Sequence, residues 1–210
     1  MSQVTIIDYG AGNLLNVQRA FEHCGAEVAI ATTPEQIAAA DRLVFPGVGA
    51  FPEAMQQLQA QNLVAAIQDS AKDKPFLGIC LGMQMMLTQG EEFETTPGLQ
   101  LLPGLVKKLP ETACDGSPMT IPHMGWARIQ PGPAGWADSL LQAVSQDNAF
   151  YFVHSYFADL AEASDQLASF DFGGHAITAA VQRDNLMGCQ FHPEKSGELG
   201  LQIIDTFLTL

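Results

Sequence analysis

The stretch Lys74 to Gln89, KPFLGICLGMQMMLTQ, passes from a short apolar run into a helical pattern across two glycines that flank Cys80. FLGIC reads as a buried strand and LGMQMMLTQ as the helix that follows it. Glycines at 78 and 82 let the backbone bend tightly between the two, so the central side chain stands at the carboxyl edge of a sheet. This is the cysteine form of a nucleophile elbow. A thiol there lies beside a helix N-terminus, whose partial positive charge favours thiolate, and the N–H of Leu81 can receive an oxyanion. The plain alternative is a buried core cysteine, since cysteine is among the residue types most often buried.

Upstream of the elbow, short β-rich runs alternate with helical patterns: VTIID, LLNVQRAFEHCG, EVAIA, PEQIAAA, RLVFPG and the stretch from Pro52 to Ser70. This alternation predicts an α/β architecture, a mostly parallel sheet flanked by helices. In the first helix Leu14, Val17, Phe21 and Cys24 recur at three- and four-residue steps, and Gly25 falls where a left-handed C-terminal cap belongs. Downstream the pattern changes. GLVKKL, TIPHMGWARI, NAFYFVHSYFA, QLASFDF, HAITAAVQ and LMGCQF all read as strands, and FGGH and RDN as hairpin turns, which makes the sheet mixed with an antiparallel extension. A closing helix is expected from about Gly197, capped by Ser196, with Leu201, Ile204, Phe207 and Leu208 on its apolar face. No repeat or linker interrupts the 210 residues, so a single domain over 1–210 is expected.

A thiol nucleophile needs a base to take its proton and an acid group to orient that base. The segment QFHPE, Gln190 to Glu194, ends the last strand just before the final helix and supplies His192 and Glu194 two positions apart. In extended chain both project to the same side. A lone strand-end histidine is more often structural. Its placement at a carboxyl strand end, like that of Cys80, favours the functional reading, because open α/β sheets put their sites there. PGVG, Pro46 to Gly49, follows another strand, and the glycines around Val48 allow a peptide N–H of this turn, at Val48 or Gly49, to join that of Leu81 in an oxyanion hole.

Composition bounds the function. With 9 Lys+Arg against 23 Asp+Glu the net charge is −14, and no segment gathers the basic residues into a stripe, which disfavours a nucleic-acid partner. The opening MSQVTIIDYG enters a strand without a basic segment or a signal-type apolar stretch, so the mature chain is expected to start there. Apolar runs fall well short of the ~18 residues of a membrane span. Cys24, Cys80, Cys114 and Cys189 form no CxxC pair, and no His or Cys pair stands at ligand spacing, so neither a disulfide framework nor a metal site is signalled. A cytoplasmic protein with free thiols and no cofactor is expected.

These residues together resemble the class I, triad-type glutamine amidotransferases, in which GICLG and HPE carry the triad. The resemblance is closest to the glutaminases that feed a cyclase in histidine biosynthesis. It rests on IDYGAGN at 7–13, FPGVGAF at 45–51, GICLGMQ at 78–84, IPHMGW at 121–126, YFVHSY at 151–156 and QFHPEKS at 190–196. It implies a catalytic triad of Cys80, His192 and Glu194, and an oxyanion hole at Val48, Gly49 and Leu81. L-Glutamine would be held by Gln84, Glu92, Ser155 and Tyr156. It also implies a heterodimer with a (β/α)8-barrel cyclase, met through Asn13, Trp126, Tyr151 and Lys195. Gln84 lies four residues after Cys80 on the same helix, so its amide should face the pocket, although as a lone residue it could equally be solvated. Glu92 could be a solvated acid of the run EEFE. His123 and His154 are assigned structural or interface roles. Ala127 stands where the resemblance leads one to expect asparagine. Three other readings stay open: a glutaminase of another pathway, a non-catalytic binding or chaperone-like relative that keeps the elbow and is disfavoured only by the intact triad, and a cysteine-elbow α/β-hydrolase. In the last the acid should precede the histidine well upstream rather than follow it by two residues.

Overall fold

The structure, a computed structural model, describes residues 2–146 and 148–210. In chain order the elements are β1 (Gln3–Ile7), α1 (Leu14–His23), β2 (Glu27–Ala31), α2 (Pro34–Ala39), β3 (Leu43–Gly47), α3 (Phe51–Ala60), α4 (Val64–Ser70), β4 (Phe76–Cys80) and α5 (Leu81–Met85). They are followed by β5 (Leu87–Gly90), β6 (Thr96–Pro97), β7 (Leu102–Lys108), β8 (His123–Pro131), β9 (Ala149–His154), β10 (Tyr156–Leu160), β11 (Gln166–Phe172), β12 (His175–Arg183), β13 (Leu186–Cys189) and α6 (Gly197–Thr209). Among the described residues no helix is long and apolar enough to cross a membrane.

Nine strands form one sheet in the order β2-β1-β3-β4-β13-β12-β11-β8-β9, and β10-β7-β5-β6 form a second. From β2 to β13 the neighbours run parallel, and from β13 to β9 they run antiparallel. The expected mixed sheet with an antiparallel extension is therefore present. The second sheet was not legible in the run of strands. β3 and β4 are buried along their whole length, as central parallel strands covered on both faces are.

Alternation along these strands sends side chains into two cores. Leu77 and Ile79 point to one that contains Phe21, Phe150, Phe170, Phe191 and Phe207, while Phe76 and Phe45 point to another with Tyr9, Phe51, Met83 and Met86. α1 and α6 close the first core, their Phe21 and Phe207 rings meeting edge-on at 6.2 Å. Each fully buried ring of this kind stabilises the fold by roughly 2–3 kcal/mol. Gly25 follows α1 at φ +80°, as a left-handed cap requires.

Three local expectations are corrected. The helix after Cys80 is only five residues long, and Leu87–Gly90 form a strand instead of its continuation. The carbonyls of Met85 and Met86 accept the N–H groups of Leu99, Leu101 and Leu102 in place of the next helical turn. The run NAFYFVHSYFA is two strands in different sheets, because the chain changes sheet at Ser155. Ser196 sits at the cap position of α6 but does not cap it. Its hydroxyl donates to the His192 carbonyl at 2.7 Å and accepts from the Tyr151 N–H at 3.0 Å.

The elbow is built from glycine because the backbone approaches itself there. A Cβ on Gly82 would lie 1.7 Å from the Phe45 carbonyl oxygen, and one on Gly78 would lie 2.7 Å from Met83 Cα. Gly82→Ala is therefore expected to cost ~3 kcal/mol or more, as overpacking against backbone does. Gly25→Ala, with nothing within 4 Å of its Cβ but a positive φ, should cost only about 1 kcal/mol. Urea unfolding midpoints of the two variants test the difference, and equal losses would show that the approach to Phe45 is not the constraint.

Candidate active site

Parallel strands β3 and β4 end side by side, with Gly47 paired to Cys80. At the end of β4 the chain turns at once into α5, which leaves Cys80 at φ 55°, ψ −113°. A non-glycine residue in that region is strained and is held there only by the structure around it. Gly47 belongs to the same constraint, since a Cβ on it would come within 2.6 Å of the Tyr9 hydroxyl and 2.9 Å of Gly82 N.

β13 pairs with the other edge of β4, Cys189 opposite Ile79, so the chain beyond β13 passes next to Cys80. The segment Pro193–Lys195 forms a single 3-10 turn whose position is set by α6: a Cβ on Gly200 would lie 1.9 Å from the Pro193 carbonyl oxygen. His192 is anchored by its own N–H to the Tyr151 carbonyl at 2.9 Å. Its Nδ1–H donates to Glu194 Oε1 at 2.8 Å, which leaves Nε2 as the proton-accepting atom of the neutral ring. Among the described residues Nε2 has no hydrogen-bond partner of normal geometry, yet the Cys80 thiol is close enough to act on it electrostatically. Burial alone would lower the imidazole pKa; the interactions with Cys80 and Glu194 outweigh it and raise it to about 9.

Cys80, His192, Val48, Gly49 and Leu81 line one cavity of about 290 Å³, joined by Gln84, Glu92, Ser155, Tyr156 and Lys195. Every residue predicted for the triad, oxyanion hole and substrate is thus brought to it except Glu194, which stands behind His192. Gln84 is buried rather than solvated, and its Nε2 donates to the Tyr156 carbonyl at 2.8 Å and to Gln190 Oε1 at 2.9 Å. Glu92 accepts the Phe51 N–H at 2.7 Å, satisfying a free donor at the start of α3. Burial raises its carboxyl pKa.

Among the predicted interface residues, Trp126 is 58% exposed and meets Tyr151 edge-on at 6.1 Å, and Lys195 is exposed at the cavity mouth. Asn13 stands at the start of α1 in a small recess shared with Val48, His192 and Glu194.

Sequence reasoning missed four members of this region, Pro122, Val153, His154 and Gln190. His154 lines the cavity, its Nδ1 2.8 Å from the Tyr156 carbonyl, and burial pushes its imidazole down to about 4. Its ring lies edge-on to that of His123 at 5.8 Å, and His123 stacks on Phe170 at 5.1 Å. Pro122 contributes to the wall. Gln190, fully buried, donates to Cys80 Sγ at 3.7 Å. The one signal for Gln190 in the sequence was its position two residues before His192, which places both side chains on one side of an extended segment. Among the described residues no group of three or more His, Cys, Asp or Glu is placed to hold a metal ion. The other thiols are set apart from Cys80: burial drives Cys24 up to about 12 and Cys189 well above the ordinary thiol range, and Cys114 lies on the surface beside His175.

Residues 5–209 match the glutamine amidotransferase class-I family. The chain is 46% identical over 213 residues, covering all of both proteins, to imidazole glycerol phosphate synthase subunit HisH 1 of Legionella pneumophila strain Paris. It is 45% identical over 204 residues to subunit HisH of Streptococcus sanguinis strain SK36, covering 96% of this chain and 93% of that one. In fold it resembles PurLQS from Thermotoga maritima, with a TM-score of 0.75 at 17% identity over 100% of this chain and 99% of that one. It also resembles a glutamine amidotransferase from Thermotoga maritima, with a TM-score of 0.60 at 16% identity over 92% of this chain and 76% of that one. With a cysteine elbow, a histidine–glutamate pair and a full-length match, this chain belongs to the class I glutamine amidotransferases.

Proposed function

We propose that the protein is the glutaminase subunit of imidazole glycerol phosphate synthase, hydrolysing L-glutamine with Cys80, His192 and Glu194 and passing the ammonia to a (β/α)8-barrel cyclase. The observation that carries the reading is the meeting of Cys80 and the His192–Glu194 pair at one cavity. The HisH relatives support the pathway, since this chain spans their full length.

Glutamine enters with its α-ammonium toward the Glu92 carboxylate and its carboxylate against Ser155 and Tyr156. A cavity of about 290 Å³ is at the lower end for ligand sites and suits a free amino acid. His192 takes the thiol proton at Nε2, Glu194 stabilises the imidazolium through Nδ1–H, and the Cys80 sulfur attacks the amide carbon. The electron pair of the C=O bond moves to oxygen, where the N–H of Leu81 and one from the PGVG turn receive it. Collapse breaks the C–N bond as His192 delivers its proton to the departing nitrogen, leaving ammonia and a glutamyl thioester. Water, deprotonated by His192, attacks the thioester carbon, and the sulfur leaves to give glutamate and the resting thiol.

Trp126, Tyr151 and Lys195 stand on the face through which the cyclase would dock. Asn13 and Lys195 also adjoin the triad, so docking can act directly on catalytic geometry.

Cys80→Ser and His192→Ala should each abolish glutaminase turnover, with Glu194→Gln milder because it orients rather than transfers. The Cys80→Ser, His192→Ala double variant should be scarcely slower than either single one, since triad members act as a unit. Steady-state glutamate release measures all four, and near-normal activity of Cys80→Ser would remove it as nucleophile.

The isolated chain should be a poor glutaminase that the cyclase activates, and the cyclase's own ligand activates further. The glycines around Val48 allow the turn to show the cavity either a carbonyl or an N–H, and one oxyanion donor is worth a factor of ~10² to 10³ in turnover. Partner binding need favour the competent turn by only ~3–4 kcal/mol. Activity is measured for the chain alone, with cyclase, and with cyclase plus ligand. Equal rates in all three would end the gating reading and leave the triad standing.

A further inference from the structure

We propose that Gln190 is a further functional residue of this site: its carboxamide, oriented by Gln84, donates a hydrogen bond to the Cys80 sulfur, aligning the nucleophile and favouring the thiolate that forms when the thiol gives up its proton. The inference rests on Cys80 being the nucleophile. It follows from a buried polar chain that neither the triad nor the oxyanion hole accounts for.

Gln190 is fully buried at the point where β13 leaves the edge of β4, with its backbone N–H on the Ala179 carbonyl at 2.8 Å. A carboxamide withdrawn from water costs stability unless its polar atoms find partners, and here the partners are Cys80 and Gln84. The direction of the chain is fixed by chemistry. The Tyr156 carbonyl can only accept, so the Gln84 atom 2.8 Å from it is the NH₂ group. The second hydrogen of that group points to Gln190 at 2.9 Å, so the atom it meets is the Gln190 oxygen. The remaining end of Gln190, the NH₂ group, is the one 3.7 Å from Sγ. Reversing either amide would set two donors or two acceptors against each other. The Tyr156 carbonyl has a second lone pair, and His154 Nδ1 lies 2.8 Å from it, so the far end of the chain is held twice.

A donor aimed at sulfur favours the charged form, because an N–H bond to an anion is stronger than one to a neutral atom. That matters here because α5 has only five residues and offers little macrodipole. Gln190 thus supplies a donor to the sulfur, while the neutral His192 ring faces it with its proton-accepting Nε2. The sulfur carries charge twice per turnover, before it attacks the amide and again when it leaves the thioester, and Gln190 serves both moments without transferring a proton. The chain also ends at Tyr156, in the cavity wall, so the contacts that seat glutamine and those that align the thiol share one set of hydrogen bonds.

The test is the pH profile of Cys80 alkylation by iodoacetamide, resolved by peptide mass spectrometry so that exposed Cys114 serves as internal control. Gln190→Glu keeps the size of the side chain and still accepts from Gln84, but sets a carboxylate against the sulfur. Gln190→Leu removes donor and acceptor together. Both should move the Cys80 profile to higher pH, Gln190→Glu by about one unit or more, a tenfold loss of thiolate at neutral pH. kcat should fall in step and recover as pH rises, KM for glutamine should change little in Gln190→Glu, which keeps the bond from Gln84, and the Cys114 profile should stay put. An unmoved Cys80 profile in folded Gln190→Glu would overturn the proposal. Should neither variant fold, the side-chain amide signals of Gln190 in ¹⁵N-labelled native protein decide it: they should shift with pH alongside the Cys80 titration, and a pH-independent signal rejects the bond. Failure of the nucleophile reading would show separately, as native protein that keeps its glutaminase activity after complete alkylation of Cys80.

Discussion

The Phe45 carbonyl lies so near Gly82 that a single methyl group would collide with it, and from that approach the rest of the site follows. It presses the start of α5 onto the end of β3, leaves Cys80 no turn except one at positive φ, and brings the PGVG loop alongside the first free N–H of α5. The strain is carried by strands buried on both faces. A backbone held in a sparsely populated region costs about 1–3 kcal/mol, which two packed cores readily offset, whereas a surface loop would relax. Cys80, the proposed nucleophile, thus stands at the end of strands buried along their whole length.

Around that point the protein concentrates its buried polar groups. One ordered line runs from the Tyr156 carbonyl through Gln84 and Gln190 to the Cys80 sulfur. A second runs from Glu194 through His192 to the Tyr151 carbonyl and Ser196. Both reach the segment Tyr151–Tyr156, so the same short run of backbone braces His192 and Cys80. Networks of this kind are worth keeping only when their members are satisfied and aligned, and α6, seated against Pro193 at Gly200, holds the second one in place. The histidine pair His123 and His154 belongs to the aromatic packing beneath this segment, with burial lowering both imidazoles.

The outer face has a different character. Met124, Trp126, Leu15 and Val48 are large apolar side chains left in solvent, on a chain with a net charge of −14. Scattered apolar residues are ordinary on a surface, but Val48 lines the cavity and Trp126 leans on Tyr151, whose backbone anchors His192. A partner that covered Val48 and Trp126 would press on the cavity wall and on the backbone that anchors His192, and so the proposed division of labour with a cyclase has a short mechanical route in this fold.

Local pattern was enough to find the elbow, the histidine–glutamate pair and the glycine turn, because each depends on backbone geometry that only certain residues permit: glycine at 78 and 82, and a two-residue step from His192 to Glu194. It was enough too for the alternating first half and the hairpins of the second, where hydrophobic period and turn residues act over a few positions. It was blind to the early end of α5 and to the strand after it, since the carbonyls of Met85 and Met86 are claimed by Leu99, Leu101 and Leu102, a competition between segments that no window contains. It read NAFYFVHSYFA as one strand because nothing local marks Ser155 as the point where the chain leaves one sheet for another. Gln190 was visible only as a neighbour of the HPE segment. Its place on the sulfur is set by the parallel pairing of β13 with β4, strands more than a hundred residues apart, and by Gln84 from a third element. Sequence alone therefore determined which residues carry reactive groups and where the backbone must bend. Tertiary structure alone decided which of those groups touch, because hydrogen-bond partners across a sheet are chosen by strand order and register, and these follow from the packing of the whole core.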